Sequence, residues 1–137
     1  MLTLRCADAA GRAWAQAQIV EHHYLHKRVP NQCRPLAYVV QHAVLGPVGC
    51  LIFGRPQAQC CYQGGLTYGS LADVLCGRAF WERWEIINLA RVWLDPRIQL
   101  GGSHHVPNAA TRMIGQALRR VHYDYLVACP PIDLLEP

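Results

Sequence analysis

An apolar stretch that stops at an aspartate-proline pair constrains this fold more than any other feature. Residues 85–94 are rich in Ile, Leu, Val and Trp, and Asp95-Pro96 follows them directly. Ten residues are few for a typical helix, and proline continues neither a helix nor a central strand. We therefore predict a buried central strand over 85–94.

The spacing of apolar residues predicts the elements around this strand. Alternation and short apolar runs predict further strands over 2–6, 36–40, 48–53 and 125–129, the middle two joined as a hairpin. Helical spacing predicts a first helix that starts at Ala9 and ends near His26-Lys27-Arg28, and further helices over 70–81 and 108–121. Asp8 and Asn108 are the predicted caps of the first and last helix.

This order of elements predicts one α/β domain of the α+β kind, with a mixed central sheet flanked by helices, spanning residues 1–137. Apolar residues make up 52% and charged residues 16% of the chain, which argues against disorder. No apolar run approaches the ~20 residues of a membrane span, and residues 1–6 do not resemble a signal peptide. We expect a soluble protein of the cytoplasm.

Cysteine usage and charge narrow the possible partners. The seven cysteines are odd in number and form no C-x-x-C pair, so neither a disulfide framework nor a zinc knuckle is predicted. Cys60-Cys61 is the pair expected to be exposed and oxidisable. The net charge of +4 permits a phosphate-bearing partner, either a cofactor or DNA.

A glycine loop joins the central strand to the helix that begins at Asn108. Backbone N–H groups beside a helix N-terminus suit a pyrophosphate, and a nearby guanidinium adds a charge-assisted contact. The predicted cofactor-binding residues are Arg97, Gly101, Gly102 and Ser103. A glycine pair also makes an ordinary turn, which is the alternative.

The end of the first helix gathers three imidazoles, a phenol and a carboxylate within residues 21–28. His22 and His26 are four residues apart and would share one helical face, a spacing used for metal ligation or acid-base chemistry. The candidate metal ligands are His22, His23, Tyr24 and His26. Alternatively, these side chains are simply exposed to solvent and interact favourably with the helix dipole.

Charged residues on the apolar strand mark a third candidate site. Glu85, Arg91 and Trp93 fall on one side if the alternation is unbroken, and Asn88 falls on the other unless a bulge intervenes. A structural ion pair between Glu85 and Arg91 is one explanation. The other is a general base or substrate clamp that faces a cleft.

The succession Leu-Ala-Arg-Val-Trp-Leu-Asp-Pro, then Arg97, Gly101-Gly102 and an amphipathic helix, resembles the GNAT acyltransferase superfamily. This resemblance implies a GNAT-like fold whose loop after the fourth strand binds the pyrophosphate of acyl-CoA. The family's usual Arg/Gln-x-x-Gly-x-Gly/Ala pattern is replaced here by Arg97-x-x-x-Gly101-Gly102-Ser103. That departure weakens the expectation of ordinary acetyl transfer.

Four motifs together resemble the Mom-type DNA-modification proteins of phages: His-His-Tyr-x-His-Lys-Arg at 22–28, Phe-Gly-Arg-Pro at 53–56, the strand at 85–92, and Pro107-Asn108. The resemblance implies a transferase that remodels the exocyclic amine of adenine in phage DNA and shields it from restriction in a bacterial host. It also implies bound iron. His23, Tyr24 and Glu85 match its site positions, and Arg91 joins them as a catalytic candidate.

GNAT-like sheets continue past the fifth strand, and Mom-type proteins carry a further segment there with His and Tyr. This sequence stops at Leu134-Leu135-Glu136-Pro137. We therefore expect it to lack the C-terminal strands of the family, and with them part of the active site.

Three functions remain open from the sequence. The first is a Mom-like transferase, with Tyr24 or Trp93 stacking on an extruded base and with phosphate contacts from Arg28, Arg34, Arg55 and Arg97. The second is an acyl-CoA-dependent N-acyltransferase that acts on a small amine. The third is a non-enzymatic scaffold that binds nucleic acid or a protein. The oligomeric state is open, a dimer included.

Overall fold

The computed structural model describes residues 1–55 and 87–128, apart from the side chain of Gln32. Its strands and helices are β1 (Leu2–Cys6), α1 (Ala9–His22), β2 (Leu36–His42), β3 (Gly46–Gly54), β4 (Asn88–Leu94), α2 (Ala109–Leu118) and α3 (Val121–Ala128). Single turns of 3-10 helix cover Asn31–Cys33 and Pro96–Ile98. The predicted helix over 70–81, Glu85 and Cys60-Cys61 lie outside the described residues.

The four described strands form one antiparallel sheet in the order β1-β2-β3-β4. The α+β class is confirmed, as are the predicted positions of β1, β2 and β3. The described pairings are all antiparallel, whereas a mixed sheet was predicted. β4 was predicted to be the central strand, but among the described strands β2 and β3 are the inner pair, and nearly all of β4 is only half-buried.

Helices cover both faces of the sheet. Ala15 and Ile19 of α1 pack against one face, which presents Val39, Cys50 and Ile52. Met113 of α2 and Tyr125 of α3 belong to the core on the other face, which presents Tyr38, Leu51 and Phe53. Alternate residues of β2 and β3 thus enter opposite cores, which explains why these strands are apolar throughout.

Helix α1 begins as predicted but presents a different face to the sheet. The carboxylate of Asp8 caps it by accepting a hydrogen bond from the Gly11 N–H at 2.8 Å. The buried positions are Gly11, Ala15 and Ile19, whose spacing of four residues lines one side of the helix. Most of the apolar positions that identified the helix point outward; they are Ala13, Ala17, Val20 and Tyr24.

The predicted strand over 125–129 is wrong, since Val121–Ala128 is α3. Val121 and Tyr125, four residues apart, are buried, while Val127 is 66% exposed. The segment is apolar on every side, so its sequence shows no helical period. Helix α2 starts where predicted, but Asn108 adopts a left-handed conformation with φ 56° and its side chain makes no capping hydrogen bond.

Candidate functional site

A β-bulge at Ala90 shapes the start of β4. Phe53 pairs with Leu89 and Ile52 pairs with Arg91, so Ala90 has no opposite residue on β3. An extra residue of this kind shifts the alternation of side chains by one position. Asn88, which pairs with Gly54, therefore shares the α1 face of the sheet with Arg91.

A pocket of about 450 Å³, here called the base pocket, opens where β3 ends and β4 begins. It is lined by Val29, Pro30, Cys33, Arg55, Asn88, Leu89, Ala90 and Arg91. Arg55 is only 8% exposed, and its guanidinium lies 5.8 Å from the centroid of the Tyr125 ring. The pocket thus combines one neutral amide, which can donate and accept, with two cationic groups that only donate.

The end of α1 departs from the predicted arrangement. The helix ends at His22, and the N–H of His23 donates to the Ile19 carbonyl at 3.0 Å. His26 has a φ of 49° and lies in the turn that follows. The prediction that His22 and His26 share a helical face is therefore wrong, because the chain leaves the helix between them.

Each imidazole at this end has its own partner. The His22 ring stacks on Trp93 with centroids 4.8 Å apart, and the His23 ring stacks on Tyr24 at 4.5 Å. His26 Nδ1 lies 2.9 Å from the Val20 carbonyl oxygen, which only accepts, so this nitrogen carries the proton.

The described candidate ligands are not gathered around one point as an iron site would require. Within residues 1–55 and 87–128, no three His, Cys, Asp or Glu side chains come together as a metal cluster. His23 Nδ1 accepts a hydrogen bond from the Leu25 N–H at 3.2 Å. In the neutral ring Nε2 therefore carries the proton and has no lone pair to offer a metal. Among the candidate ligands, His22 stacks on Trp93, His23 and Tyr24 stack on each other, and His26 contacts Val20, so we derive no step through iron.

Arg91 connects the end of α1 to the base pocket. Its Nε donates to the Lys27 carbonyl oxygen at 3.1 Å, and one terminal nitrogen donates to the Ala90 carbonyl oxygen at 2.8 Å. Partial burial, followed by the charges of Arg91 and His26, lowers the pKa of His23. Three predicted catalytic residues, His23, Tyr24 and Arg91, thus lie together; the fourth, Glu85, is outside the described residues.

The two predicted stacking surfaces differ. Tyr24 is 81% exposed and available to a neighbouring ring. Trp93 is enclosed by Trp14, whose ring centroid is 6.3 Å away, and by the stacked His22. Trp93 therefore holds α1 against β4 and is not a platform for a base.

The glycine loop after β4 folds as a turn in which several of the groups predicted to contact phosphate already have partners within the protein. Arg97 binds the Asp95 carboxylate through Nε and a terminal nitrogen, the latter at 2.7 Å, and this contact lowers the pKa of Asp95. The Gly102 N–H donates to the Gln99 carbonyl oxygen at 2.9 Å. Gly101 supplies the left-handed φ of 84° that the turn requires. Ser103 Oγ lies 2.9 Å from His104 Nδ1.

A second pocket, of about 620 Å³, lies beside this loop over the start of α2, and we call it the donor pocket. Val92 and Leu94 form its floor, and residues 98–100 and 105–111 form its walls. The first bond of α2 runs from the Arg112 N–H to the Asn108 carbonyl, so the N–H groups of 109–111 have no acceptor within the helix. These donors suit an anion better than the loop does.

The chain matches no family model, no curated protein and no solved structure. In the described ranges, none of the helices combines the length and apolarity needed to cross a bilayer. Function is therefore inferred from the two pockets and their surroundings.

Sequence reasoning placed Asn88 on the face opposite Arg91 unless a bulge intervened. Only the bulge at Ala90 brings it beside Arg91, and no glycine or proline in Asn88-Leu-Ala-Arg signals a bulge there. Of the predicted phosphate contacts, Arg55 lines the base pocket, Arg28 is exposed beyond α1, and Arg97 is held by Asp95.

Proposed function

We propose that this chain is a GNAT-like, Mom-like transferase that modifies the exocyclic amine of adenine in DNA, with the target base in the base pocket. The bulge at Ala90 carries the proposal, because it brings the Asn88 amide beside Arg91. An asparagine amide pairs with adenine by accepting from N6–H and donating to N7. The amine has two hydrogens, so Asn88 can hold one while the other is replaced.

The surroundings of the pocket support a DNA substrate. Chemistry at a base amine requires the base to leave the duplex, and enzymes that do this stack extruded or neighbouring bases on aromatic rings. Tyr24 offers an exposed ring of this kind, three residues before Lys27, whose carbonyl oxygen accepts from Arg91. Described parts of two of the four Mom-like motifs, at 53–55 and 88–92, contribute lining residues to this pocket, and the motif at 22–28 contacts Arg91 through the Lys27 carbonyl.

The donor pocket supports an acyl-CoA or related donor. Its pyrophosphate would be bound by the N–H groups of residues 109–111, and such a donor supplies an activated acyl group. Asn88 and Leu94 stand at the two ends of β4, about 20 Å apart for a strand of this length. The two pockets open on opposite faces of the sheet, so the arm of the donor would also have to pass around β4 to reach the amine.

Nucleoside mass spectrometry of DNA from cells that produce the protein tests the proposal. We expect a new nucleoside derived from deoxyadenosine. Asn88→Ala should lower its yield roughly tenfold to a hundredfold, the discrimination that one bidentate amide contact supplies. Gln116→Ala, at an exposed position of α2, is the matched control and should leave the yield unchanged. Only ordinary deoxyadenosine in the wild-type sample would refute the function.

The donor pocket also favours a second candidate, an acyl-CoA-dependent N-acyltransferase for a small amine. Its apolar floor and free N–H groups suit acyl-CoA whatever the acceptor is. A thermal shift with acyl-CoA together with unmodified DNA would favour this candidate over the first.

A further inference from the structure

The outward face of α1 carries an apolar stripe where solvent-facing helices usually carry polar side chains. Ala9, Ala13, Ala17 and Val20 form it, and Val20 is 46% exposed. Together with residues of the following loop, the stripe lines a groove of about 560 Å³, here called the α1 groove. Neither the base pocket nor the donor pocket shares a residue with it.

Hydrogen bonds hold the loop wall of the groove in place. The Gln16 amide donates to the Val29 carbonyl oxygen at 3.0 Å and accepts from the Val29 N–H at 2.9 Å. The Arg28 guanidinium donates to the Asn31 side-chain oxygen at 3.0 Å. A wall fixed in this way can bind a ligand without first being ordered.

Residues 28–33 form a ridge between the groove and the base pocket. Arg28 and Asn31 line the groove, whereas Val29, Pro30 and Cys33 line the base pocket. A ligand that leaves the base pocket over this ridge enters the α1 groove.

The charge of the groove restricts what it can bind. Exposed Arg12 and Arg28 stand at its rim, and none of its lining residues is acidic. The carboxylate of Asp8, close by in sequence, is used as the cap of α1. Two guanidinium groups over an apolar floor suit a chain of phosphates and flat rings, whereas a second copy of the protein would bring like charges together.

We propose that the α1 groove binds the single-stranded DNA that flanks the target base, with phosphates on Arg12 and Arg28. Sugars and bases pack on Ala13, Ala17 and Val20. This inference rests on the proposed function for the identity of the ligand, and it adds the path that the strand takes across the protein.

The salt dependence of DNA binding tests this path. The probe is a short fluorescein-labelled single-stranded oligonucleotide with one adenine, and its affinity is measured by fluorescence anisotropy between about 50 and 200 mM salt. Each single-strand phosphate contact contributes about 0.7 to the slope of log affinity against log salt. Arg12→Ala and Arg28→Ala should each reduce the slope by about that amount.

Matched variants control for general charge and for folding. Arg112→Ala removes an exposed cation from α2, on the opposite face of the sheet, and should leave the slope unchanged. Ala17→Glu adds a carboxylate to the groove floor and should abolish binding, while Gln116→Glu adds the same charge on α2 and should not. Circular dichroism melting confirms that each variant is folded.

The outcomes separate the path from the function. Wild-type slopes in both arginine variants, with binding intact, would overturn the path and leave the base modification untouched. Reduced slopes with unmodified adenine in cellular DNA would keep the groove as a nucleic-acid surface and refute the transferase. No binding of the oligonucleotide by the wild type, or self-association that Ala17→Glu abolishes, would also overturn the path.

Discussion

A single ring nitrogen of His42 holds the turn between β2 and β3. His42 Nδ1 accepts hydrogen bonds from the N–H groups of Val44 at 3.0 Å and Leu45 at 3.2 Å. Protonation of Nδ1 would break both bonds, because a protonated nitrogen cannot accept. Desolvation, followed by the charges of the chain terminus, His104 and Arg97, lowers the pKa of His42.

We predict that His42 makes the fold less stable in mild acid. Its pKa in the folded chain is below the ordinary value of 6.5, so the unfolded chain takes up the proton first as the pH falls. Neutral His42 therefore contributes fully to the free energy of unfolding above about pH 6.5. This contribution is lost as the pH falls below about 6.5 towards the lower pKa of His42 in the folded chain. His42→Asn keeps an acceptor oxygen but removes the titration. Urea midpoints on both sides of that pH should fall further for the wild type than for His42→Asn, and equal losses would contradict this account.

The helix α3 is tied to the sheet by polar groups at its buried side. The Tyr125 hydroxyl donates to the Arg34 carbonyl oxygen at 2.6 Å. The Tyr38 hydroxyl donates to the Asp124 carboxylate at 2.6 Å, and Arg120 Nε donates to the same oxygen at 2.7 Å. Because α3 is apolar on every side, its apolar residues alone would not fix its orientation against the sheet. These polar contacts fix it.

Tyr125→Phe should therefore lower the free energy of unfolding by about 0.5–1.5 kcal/mol, since it removes the hydrogen bond to the half-buried Arg34 carbonyl. Tyr123→Phe removes the same hydroxyl from a side chain that is 71% exposed and is the matched control. Urea unfolding followed by circular dichroism measures both. Similar losses in the two variants would show that the buried hydroxyl does not stabilise α3.

The accuracy of prediction from sequence also varied by element. The alternating residues of β1 and the capped start of α1 are local signals, and both led to the right element. The α3 segment, which is apolar on every side, gave no period and was taken for a strand. The bulge at Ala90 and the buried face of α1 depend on contacts with distant residues, such as the Trp14–Trp93 pair, which periodicity does not report.

Across the whole molecule, β4 separates two sites. The base pocket lies at its Asn88 end on the α1 side, and the donor pocket lies at its Leu94 end beside α2. The sequence identified both neighbourhoods, through residues 22–28 and the start of α2. Sequence reasoning assigned the phosphate contact to Arg97 and the glycine loop after β4. It did not anticipate that Arg97 forms an ion pair with Asp95.

We predict that the two sites bind their ligands independently. Thr111→Glu places a carboxylate in the first turn of α2. The helix dipole stabilises a negative charge there, but the carboxylate repels a pyrophosphate. It should abolish the thermal shift with acyl-CoA and leave single-stranded DNA binding unchanged. Arg97→Ala should alter neither, because Arg97 is already bound to Asp95. Loss of the acyl-CoA shift in Arg97→Ala, with Thr111→Glu unaffected, would return the phosphate contact to the glycine loop.

The unpaired Ala90 is one residue more than the pairing of β4 with β3 requires. Loss of that single codon would restore strict alternation along β4. Asn88 would then stand two positions before Arg91, and both side chains would stay on the α1 face. An in-frame deletion of this one alanine should thus spare adenine recognition, whereas replacing the asparagine itself should erase it.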